Sequence, residues 1–301
     1  MRNKKTCIVI VGPTASGKTR LSLQLADYFK TDIVSADSRQ CYKELNIGVA
    51  KPDEEALCSI KHYFINTHSI HDELNAAVFE NYALAAVEEI FAEKDYAVMV
   101  GGTGLYIKAF CEGMDEMPGV DESVRASLRN DYSSKGFDWL QEMIKVHDPL
   151  FYVKGEILNP RRMLRALEVK LSTGKSVLEL HTAEKKQRPF NIIKVGIDIP
   201  RKVLYEQVNK RVDMMMEAGL PEEVKSLRDY RYINALQTVG YKELFEYTDG
   251  KVTLGEAADN IKKNTRHYAK RQMTWFRRDP EIKWLGEHAD DYIRFVTDRK
   301  S

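Results

Sequence analysis

The stretch GPTASGKT, Gly12 to Thr19, follows the apolar run TCIVIV, Thr6 to Val11, near the start of the chain. It matches the phosphate-loop pattern G-x-x-x-x-G-K-[ST]. In that pattern glycines let consecutive backbone N–H groups point into one concavity, a lysine reaches the phosphate and a hydroxyl can bind Mg²⁺. Helical periodicity follows the loop, so the positive end of a helix dipole adds to the site. The stretch predicts a strand, a phosphate-binding loop and a helix in succession.

Short β-branched runs also predict strands at 32–36, 96–100 and 191–199, and the segments between the first runs have helical periodicity. Strands that alternate with helices indicate a parallel sheet covered on both faces. Between about Pro118 and Gln187 the sequence becomes charged and helix-like, without a convincing strand. We therefore expect an α/β fold of the P-loop NTPase type, a parallel sheet flanked by helices. The expected domains are a core domain (first part, 1–115), a helical insertion domain (116–188) and the second part of the core with basic C-terminal helices (189–301).

The composition limits the possible partners and compartment. There are 46 Lys and Arg against 45 Asp and Glu, a net charge of +1, so a polyanion would have to be bound by a local patch. The four cysteines are scattered without a CxxC pair, which argues against structural zinc and fits a reducing compartment. Charged residues interrupt every long apolar stretch, and no cleavage site precedes the first strand. We expect a cytoplasmic protein without a membrane partner.

The phosphate loop does not by itself predict ATP hydrolysis. NTPases place an acidic residue at the end of a later strand, whereas YAVMVGGTG, 96–104, ends in a glycine-rich turn. Small-molecule kinases and diphosphate-using enzymes remain open. Asp37 follows the second strand, and the carboxyl ends of neighbouring parallel strands share one crevice, so we expect Asp37 near Lys18. From the residues alone, Asp37 is either a cap for the next helix or a general base.

The segment IKKNTRHYAKRQMTWFRR, 261–278, contains seven Lys and Arg, no acidic residue and three interleaved aromatic rings. Its basic residues recur at helical spacing, which suits binding to phosphates. The alternative is a solvated helix face. Because the whole chain is nearly neutral, the local excess favours an anionic partner.

Six motifs, in order and spacing, resemble those of bacterial tRNA dimethylallyltransferases, also called tRNA isopentenyltransferases. They are GPTASGKT, VSADSRQCYKELNIGVAKP, VGGTGLYIKA, RRMLRALEVKLSTGKS, VGYKELFEY and YAKRQMTWFRR. The resemblance covers nearly the whole chain. It implies transfer of the dimethylallyl group of dimethylallyl diphosphate to N6 of the adenine immediately 3′ of the anticodon, in tRNAs that read codons starting with U. Adenylate isopentenyltransferases are the nearest competing family, and a small-molecule kinase and a non-catalytic RNA-binding module compete from different functional classes.

The resemblance also implies the roles of individual residues. The catalytic residues are Asp37 as the general base, Thr103 and Arg211. The residues that bind diphosphate are Gly12, Thr14, Ala15, Ser16, Gly17, Lys18 and Thr19, with Thr19 also binding the cofactor Mg²⁺. The residues that contact the tRNA anticodon stem-loop are Asp37, Ser38, Arg39, Gln40, Arg125, Arg161, Arg162, Arg165, Gln237, Gly240, Tyr241, Lys242, Lys270 and Arg271. The protein is expected to act as a monomer.

Overall fold

The computed structural model describes residues 5–115, 117–182 and 184–299. In these ranges six strands form one sheet: β1 (Thr6–Val11), β2 (Ile33–Ser35), β3 (His62–Tyr63), β4 (Tyr96–Gly101), β5 (Asn191–Ile197) and β6 (Lys283–Leu285). Their order is β3-β2-β4-β1-β5-β6, and every neighbouring pair is parallel. The predicted α/β class is confirmed. Strands β3 and β6 are too short to give a sequence pattern.

The chain divides into two compact units. The first contains the chain up to Glu112 and from Gln187 onward, and it holds the sheet. Its helices are α1 (Lys18–Tyr28), α2 (Glu54–Ser59), α3 (Ala76–Glu93), α4 (Gly104–Glu112), α9 (Arg201–Glu217), α10 (Leu220–Ser226), α11 (Tyr241–Thr248), α12 (Leu254–Phe276) and α13 (Ala289–Asp298). The second unit is Gly113–Lys186. Its helices are α5 (Glu122–His147), α6 (Pro149–Lys154), α7 (Pro160–Thr173) and α8 (Val177–Leu180).

The core of the first unit is built around β1, which lies between β4 and β5 and is buried at every position. A central parallel strand is covered on both faces, which is why TCIVIV is continuously apolar rather than alternating. On one face Leu21 and Leu25 of α1 pack with Ile8 and Ile10 of the sheet. This packing fixes the start of α1 directly above the end of β1.

The second unit has its own apolar core, to which α5 contributes Leu140 and Ile144 and α7 contributes Met163 and Leu167. Its elements are all helical in the described residues, as the sequence pattern predicts. Gly136, at φ 78°, interrupts the helical backbone of α5.

The apolar residues of the segment 209–230 recur at helical spacing, which predicts one helix, but the structure divides the segment. Helix α9 ends at Glu217 and α10 begins at Leu220, with Gly219 between them at φ 97°. Glycine adopts this left-handed backbone without the steric penalty of a side chain, so it ends the helix although the apolar spacing continues. Among the described residues, no helix has the length and apolar character needed to cross a membrane.

Candidate active site

Three predicted site segments lie side by side because β2, β4 and β1 are neighbours in the sheet. The phosphate loop follows β1, the GGTG turn follows β4, and the DSRQ turn, 37–40, follows β2. In the register of the sheet, Val100 of β4 pairs with both Ile10 of β1 and Ser35 of β2. The crevice at the carboxyl ends of these strands is therefore lined by all three segments.

The phosphate loop has the backbone that its glycines predict. Gly17 adopts φ 84° immediately before α1, and Ala15 also has a positive φ, 61°. The carbonyl of Pro13 accepts hydrogen bonds from Ser16 Oγ at 2.9 Å and from Lys18 Nζ at 2.5 Å. The lysine side chain is thus folded back over its own loop, where a phosphate oxygen could replace the carbonyl as its partner.

Two cations and one carboxylate meet at this crevice. Burial and, to a smaller extent, the like charge of Arg211 lower the pKa of Lys18, and Asp37 opposes them, so that the pKa is about 7. Burial also lowers the pKa of Arg211, again opposed by Asp37. Two positive groups with one negative group leave an excess positive charge in a desolvated place. Lys18, Arg211 and Asp37, which lie far apart in the sequence, therefore form one cluster of two cations and a carboxylate.

Asp37 is held by the turn that it begins. Its Oδ1 accepts hydrogen bonds from Arg39 N at 2.9 Å and Gln40 N at 3.4 Å. The carboxylate therefore caps a turn, in place of the helix start that the capping interpretation expects. Both of these bonds end on Oδ1, so capping fixes the orientation of the carboxylate and is compatible with a role of Oδ2 as a base.

Thr103 connects the GGTG turn to the DSRQ turn. Its Oγ1 accepts a hydrogen bond from Ser38 N at 3.1 Å, and its own N–H donates to the carbonyl of Ala36 at 3.2 Å. A Cβ on Gly101 would lie 2.2 Å from that carbonyl, so only glycine permits this approach. Thr103 thus contacts the two residues that flank Asp37 in the sequence, and its catalytic role stays a prediction.

The side-chain amide of Gln40 is occupied inside the protein. It donates to the carbonyls of Val49 and Ala50 at 3.3 and 3.0 Å and accepts from Ser35 Oγ at 3.1 Å. Gln40 therefore fixes the following loop, and its contact with a tRNA base stays a prediction.

The residues present fit a magnesium ion that is bound mainly by its ligand. Thr19 is exposed in the first turn of α1, next to Lys18. Among the described residues no three His, Cys, Asp or Glu side chains cluster so as to hold a metal ion by themselves. Mg²⁺ usually keeps several waters and binds one or two protein oxygens together with substrate phosphates. A single hydroxyl beside a phosphate loop suits that mode of binding.

Helix α12 closes the crevice with residues that the sequence analysis did not assign. Gln272 accepts a hydrogen bond from Thr14 N at 2.8 Å and donates to the carbonyl of Gly102 at 2.9 Å. Trp275 packs so closely on the GGTG turn that a Cβ on Gly104 would lie 2.2 Å from the indole nitrogen. Burial and, to a smaller extent, the nearby charge of Asp37 together raise the pKa of Tyr268 to about 12. The spacing of these three residues, i, i+4 and i+7, puts them on one helical face and was the available signal.

A basic cavity of about 480 Å³ lies between α9 and α12. It is lined by Arg201, Tyr205, His267, Lys270, Arg271, Thr274, Trp275 and Arg278. In the described part of the chain, none of its four Lys and Arg side chains forms an ion pair with an acidic residue. Lys270 and Arg271 are exposed and line this cavity, as a phosphate contact requires.

The segment QTVGYK, 237–242, is mostly structural in this protein. Tyr241 is fully buried, and its hydroxyl donates to Glu223 Oε1 at 2.5 Å. Gly240 N donates to Glu243 at 2.8 Å, and the Gln237 amide donates to the carbonyl of Arg231 at 2.6 Å. Lys242 is the exposed member of the predicted tRNA contacts here. The Tyr241 ring therefore packs in the core beneath this segment and is not part of its surface.

Four arginines predicted to bind tRNA belong to the second unit. Arg125 pairs with Glu122 at 2.8 Å and with Glu168 at 3.6 Å, and Arg165 pairs with Glu168 at 3.5 Å. Arg162 pairs with Glu156.

Arg161 differs from these three. It is exposed at the start of α7 and, within the described ranges, has no acidic partner. It is therefore the arginine of this set whose charge is most available to an external phosphate.

Comparison with known proteins gives consistent results. The family model described as IPP transferase matches residues 40–279. A relative from Christiangramia forsetii named tRNA dimethylallyltransferase is 48% identical over 291 residues, which cover 95% of this chain and 96% of the relative.

Two solved structures are similar to this chain. The full-length tRNA isopentenylpyrophosphate transferase from Bacillus halodurans has a TM-score of 0.72 and 35% identity, covering 98% of this chain and 95% of that one. A eukaryotic dimethylallyltransferase described as acting on tRNA has a TM-score of 0.76 and 28% identity, covering 90% of this chain and 69% of that one.

Proposed function

We propose that this chain, which belongs to the IPP transferase family, transfers the dimethylallyl group of dimethylallyl diphosphate to N6 of an adenine in tRNA. The acceptor is the adenine immediately 3′ of the anticodon, in tRNAs that read codons starting with U, and the other product is diphosphate. The observation that carries the proposal is the cluster of Lys18, Arg211 and Asp37. It combines excess positive charge for a diphosphate with a carboxylate that can take a proton.

The reaction forms one bond and breaks another. The bond between the allylic carbon and the diphosphate oxygen breaks, and its electron pair leaves with diphosphate. The lone pair of N6 forms the new N–C bond, and one N6 proton passes to Asp37. An adenine amine is a weak nucleophile because its lone pair is delocalised into the ring, so removal of this proton as the bond forms lowers the barrier.

The phosphate loop and Arg211 bind the leaving group. Lys18 exchanges the carbonyl of Pro13 for a phosphate oxygen, and Arg211 neutralises the charge that develops as diphosphate departs. Mg²⁺ bound to Thr19 and the diphosphate would neutralise further charge on the leaving group. Thr103 holds the turn that carries Asp37 through its bond to Ser38.

The acceptor adenine has to leave the stacked anticodon loop to reach Asp37, which costs a few kcal/mol. The DSRQ turn receives the extruded base, and exposed cations bind the surrounding phosphates. Lys270, Arg271, Lys242 and Arg161 are the exposed candidates for these phosphate contacts.

Functions of a different class are less favoured. The compared relatives are named as tRNA-modifying enzymes, which disfavours a small-molecule kinase and a non-catalytic module. An enzyme that acts on free AMP would have no use for the unpaired cations around Lys270 and Arg271. A large anionic acceptor accounts for them.

The test incubates unmodified tRNA with the protein, Mg²⁺ and dimethylallyl diphosphate, beside a parallel reaction with AMP. Mass analysis of nuclease fragments should find one added five-carbon unit on the adenine 3′ of the anticodon. Transfer to AMP alone would assign the protein to the adenylate branch. Absence of transfer to either acceptor would refute the proposal.

The role of Asp37 is tested by Asp37→Asn, which keeps the oxygen that caps the turn but removes the base. We expect kcat to fall by about 10²- to 10⁴-fold, with the Kd for tRNA nearly unchanged. Asp53→Asn is the matched control, because Asp53 caps α2 by the same kind of bond, to Ala56 N. Equal losses of tRNA binding and of transfer in Asp37→Asn would contradict its assignment as the base.

A further inference from the structure

Gln272 is a polar side chain in an almost completely buried position. It is 7% exposed and lies in the middle of the most basic segment of the chain. Both ends of its amide are used: the oxygen accepts from Thr14 N at 2.8 Å, and the nitrogen donates to the carbonyl of Gly102 at 2.9 Å. One planar amide therefore joins two loops that are otherwise separate in sequence.

The two loops contribute to different parts of the proposed reaction, one to binding of the diphosphate and the other to the position of the base. Thr14 belongs to the loop that holds the diphosphate. Gly102 precedes Thr103, whose hydroxyl accepts from Ser38 N, and Ser38 follows Asp37. A continuous series of short contacts thus leads from the leaving-group side of the crevice through Gln272 to the base.

We propose that Gln272 is a positioning residue that sets the distance between the diphosphate loop and the turn that carries Thr103. This inference rests on the proposed transferase function. Displacement at carbon needs the leaving oxygen, the allylic carbon and N6 to be aligned, and a misplacement of about 1 Å can reduce a rate by about 10²-fold. A rigid amide with two hydrogen bonds fixes this distance better than apolar packing, which has no directional preference.

Gln272 is not needed to attach α12 to the protein. The helix also buries the apolar side chains of Ala257, Ile261, Ala269 and Phe276. Removing the amide should therefore change the spacing of the two loops without releasing the helix. That separates a positioning role from a general structural one.

Gly102 offers a second, independent way to break the same contact. A Cβ there would lie 2.2 Å from Gln272 Nε2, whereas the next nearest groups are Gln272 Cδ at 3.4 Å and the carbonyl of Gly12 at 3.8 Å. Gly102→Ala should displace the amide in the native protein and should be accommodated once the glutamine side chain is gone. The two substitutions therefore form a double-mutant cycle with a defined expectation.

The experiment compares Gln272→Ala, Gly102→Ala and the double variant, together with Gln272→Met, which fills similar space without hydrogen bonds. We expect each variant to lower kcat by about 10- to 100-fold, with Tm and the Kd for tRNA close to those of the native protein. The loss in the double variant should match that in Gln272→Ala rather than the product of the two single losses. Asp259→Ala, a change at an exposed position of the same helix, is the control and should be silent.

Different outcomes separate the two proposals. If the native protein does not transfer the dimethylallyl group, the proposed function fails. If it does, multiplicative losses in the double variant would overturn the positioning role alone. Full activity of Gln272→Met, or a fall in kcat that parallels a fall in Tm, would overturn it as well. Titration with inorganic diphosphate gives a readout independent of turnover: Gln272→Ala should weaken its binding by less than it lowers kcat, because the loop itself remains.

Discussion

The charge of Lys18 destabilises the free protein and, in the proposed reaction, binds the diphosphate. In the free protein its ammonium group is desolvated and faces the like charge of Arg211, and both effects lower its pKa, to about 7. A bound diphosphate would reverse this imbalance by adding negative charge between the two cations. In the proposed reaction, the repulsion between these two desolvated like charges would therefore favour an anionic ligand.

Lys18→Met should make the free protein more stable. Between pH 7 and the ordinary pKa of lysine, Lys18 binds fewer protons in the folded chain than in the unfolded chain. Lys18 therefore destabilises the native protein most below pH 7, and this destabilisation decreases as the pH rises. Replacing such a desolvated charge by an apolar side chain can stabilise by about 1–4 kcal/mol. Thermal unfolding at pH 6 and pH 9 should show a larger rise in Tm at pH 6.

The same variant should lose affinity for dimethylallyl diphosphate. A matched change outside the crevice, Lys30→Met, removes a charge that pairs with Asp27 on the surface and should affect neither property. A lower Tm for Lys18→Met at pH 6 would contradict the electrostatic account of this residue.

Binding of the diphosphate should depend on pH. Above pH 7 the free protein loses the Lys18 proton and must regain it when the anion binds, so Kd should rise towards about tenfold per pH unit. Below pH 7 Lys18 is already protonated and contributes no further change. Calorimetric titration with dimethylallyl diphosphate from pH 6 to pH 9, in buffers of different ionisation enthalpy, measures the affinity and the proton uptake together. Proton uptake that persists unchanged in Lys18→Met would assign it to another group.

At the scale of elements, α12 combines separate tasks on different faces. Ala257, Ile261 and Phe276 attach it to the protein, Gln272 reaches the loops, and Lys270 and Arg271 remain exposed. The net charge of the whole chain is only +1, so it does not indicate the local excess of positive charge on α12. The helix geometry concentrates that charge on one surface. The sequence shows that this segment is basic. It does not show that the Gln272 amide is buried among the basic residues.

Replacing Lys270 and Arg271 by glutamine should weaken tRNA binding and flatten its salt dependence. Removal of one phosphate contact reduces the slope of log K against log salt by about 0.7 to 0.9. The Kd for tRNA should be measured at four or more salt concentrations. Lys30→Gln with Lys61→Gln removes the same charge from groups that pair with Asp27 and Glu89, and should leave the slope unchanged. An unchanged slope in the α12 variant would assign these residues to packing.

Element boundaries depended on single residues. The apolar spacing of 209–230 is continuous, yet Gly219 divides it into α9 and α10. Strands β3 and β6 have two and three residues, and they exist because a neighbouring strand supplies hydrogen-bond partners. Such short strands have no intrinsic pattern, so their formation is decided by the sheet and not by their own sequence.

At the scale of the whole molecule, the residues with proposed roles in catalysis and in tRNA binding are distributed over two compact units. Lys18, Asp37, Thr103 and Arg211 all belong to the unit that holds the sheet, whereas Arg161 belongs to Gly113–Lys186. The second unit has its own apolar core and carries none of the predicted diphosphate-binding residues. Its contribution should therefore concern the tRNA and not the chemistry.

Arg161→Ala should raise the Kd for tRNA by about 3- to 30-fold, which is about 0.7–2 kcal/mol for one phosphate contact. The KM for dimethylallyl diphosphate, measured at saturating tRNA, should stay the same. Lys145→Ala is the control within the same unit, because Lys145 pairs with Glu142. A change in the KM for dimethylallyl diphosphate without a change in tRNA affinity would contradict this division.

The sequence by itself determined the local and repetitive features. The phosphate loop with Lys18, the alternation of strands and helices and the helical insertion follow from spacing, periodicity and motif, which are properties of short segments. The roles predicted for Thr103 and Arg211 came from the resemblance to the transferase family. Only the tertiary structure decided what depends on residues far apart in the chain. The strand order brings three loops to one crevice, Tyr241 is buried against Glu223, and Gln272 reaches Thr14 across 258 positions. These contacts arise from the packing of whole elements, and no pattern within a short segment encodes them.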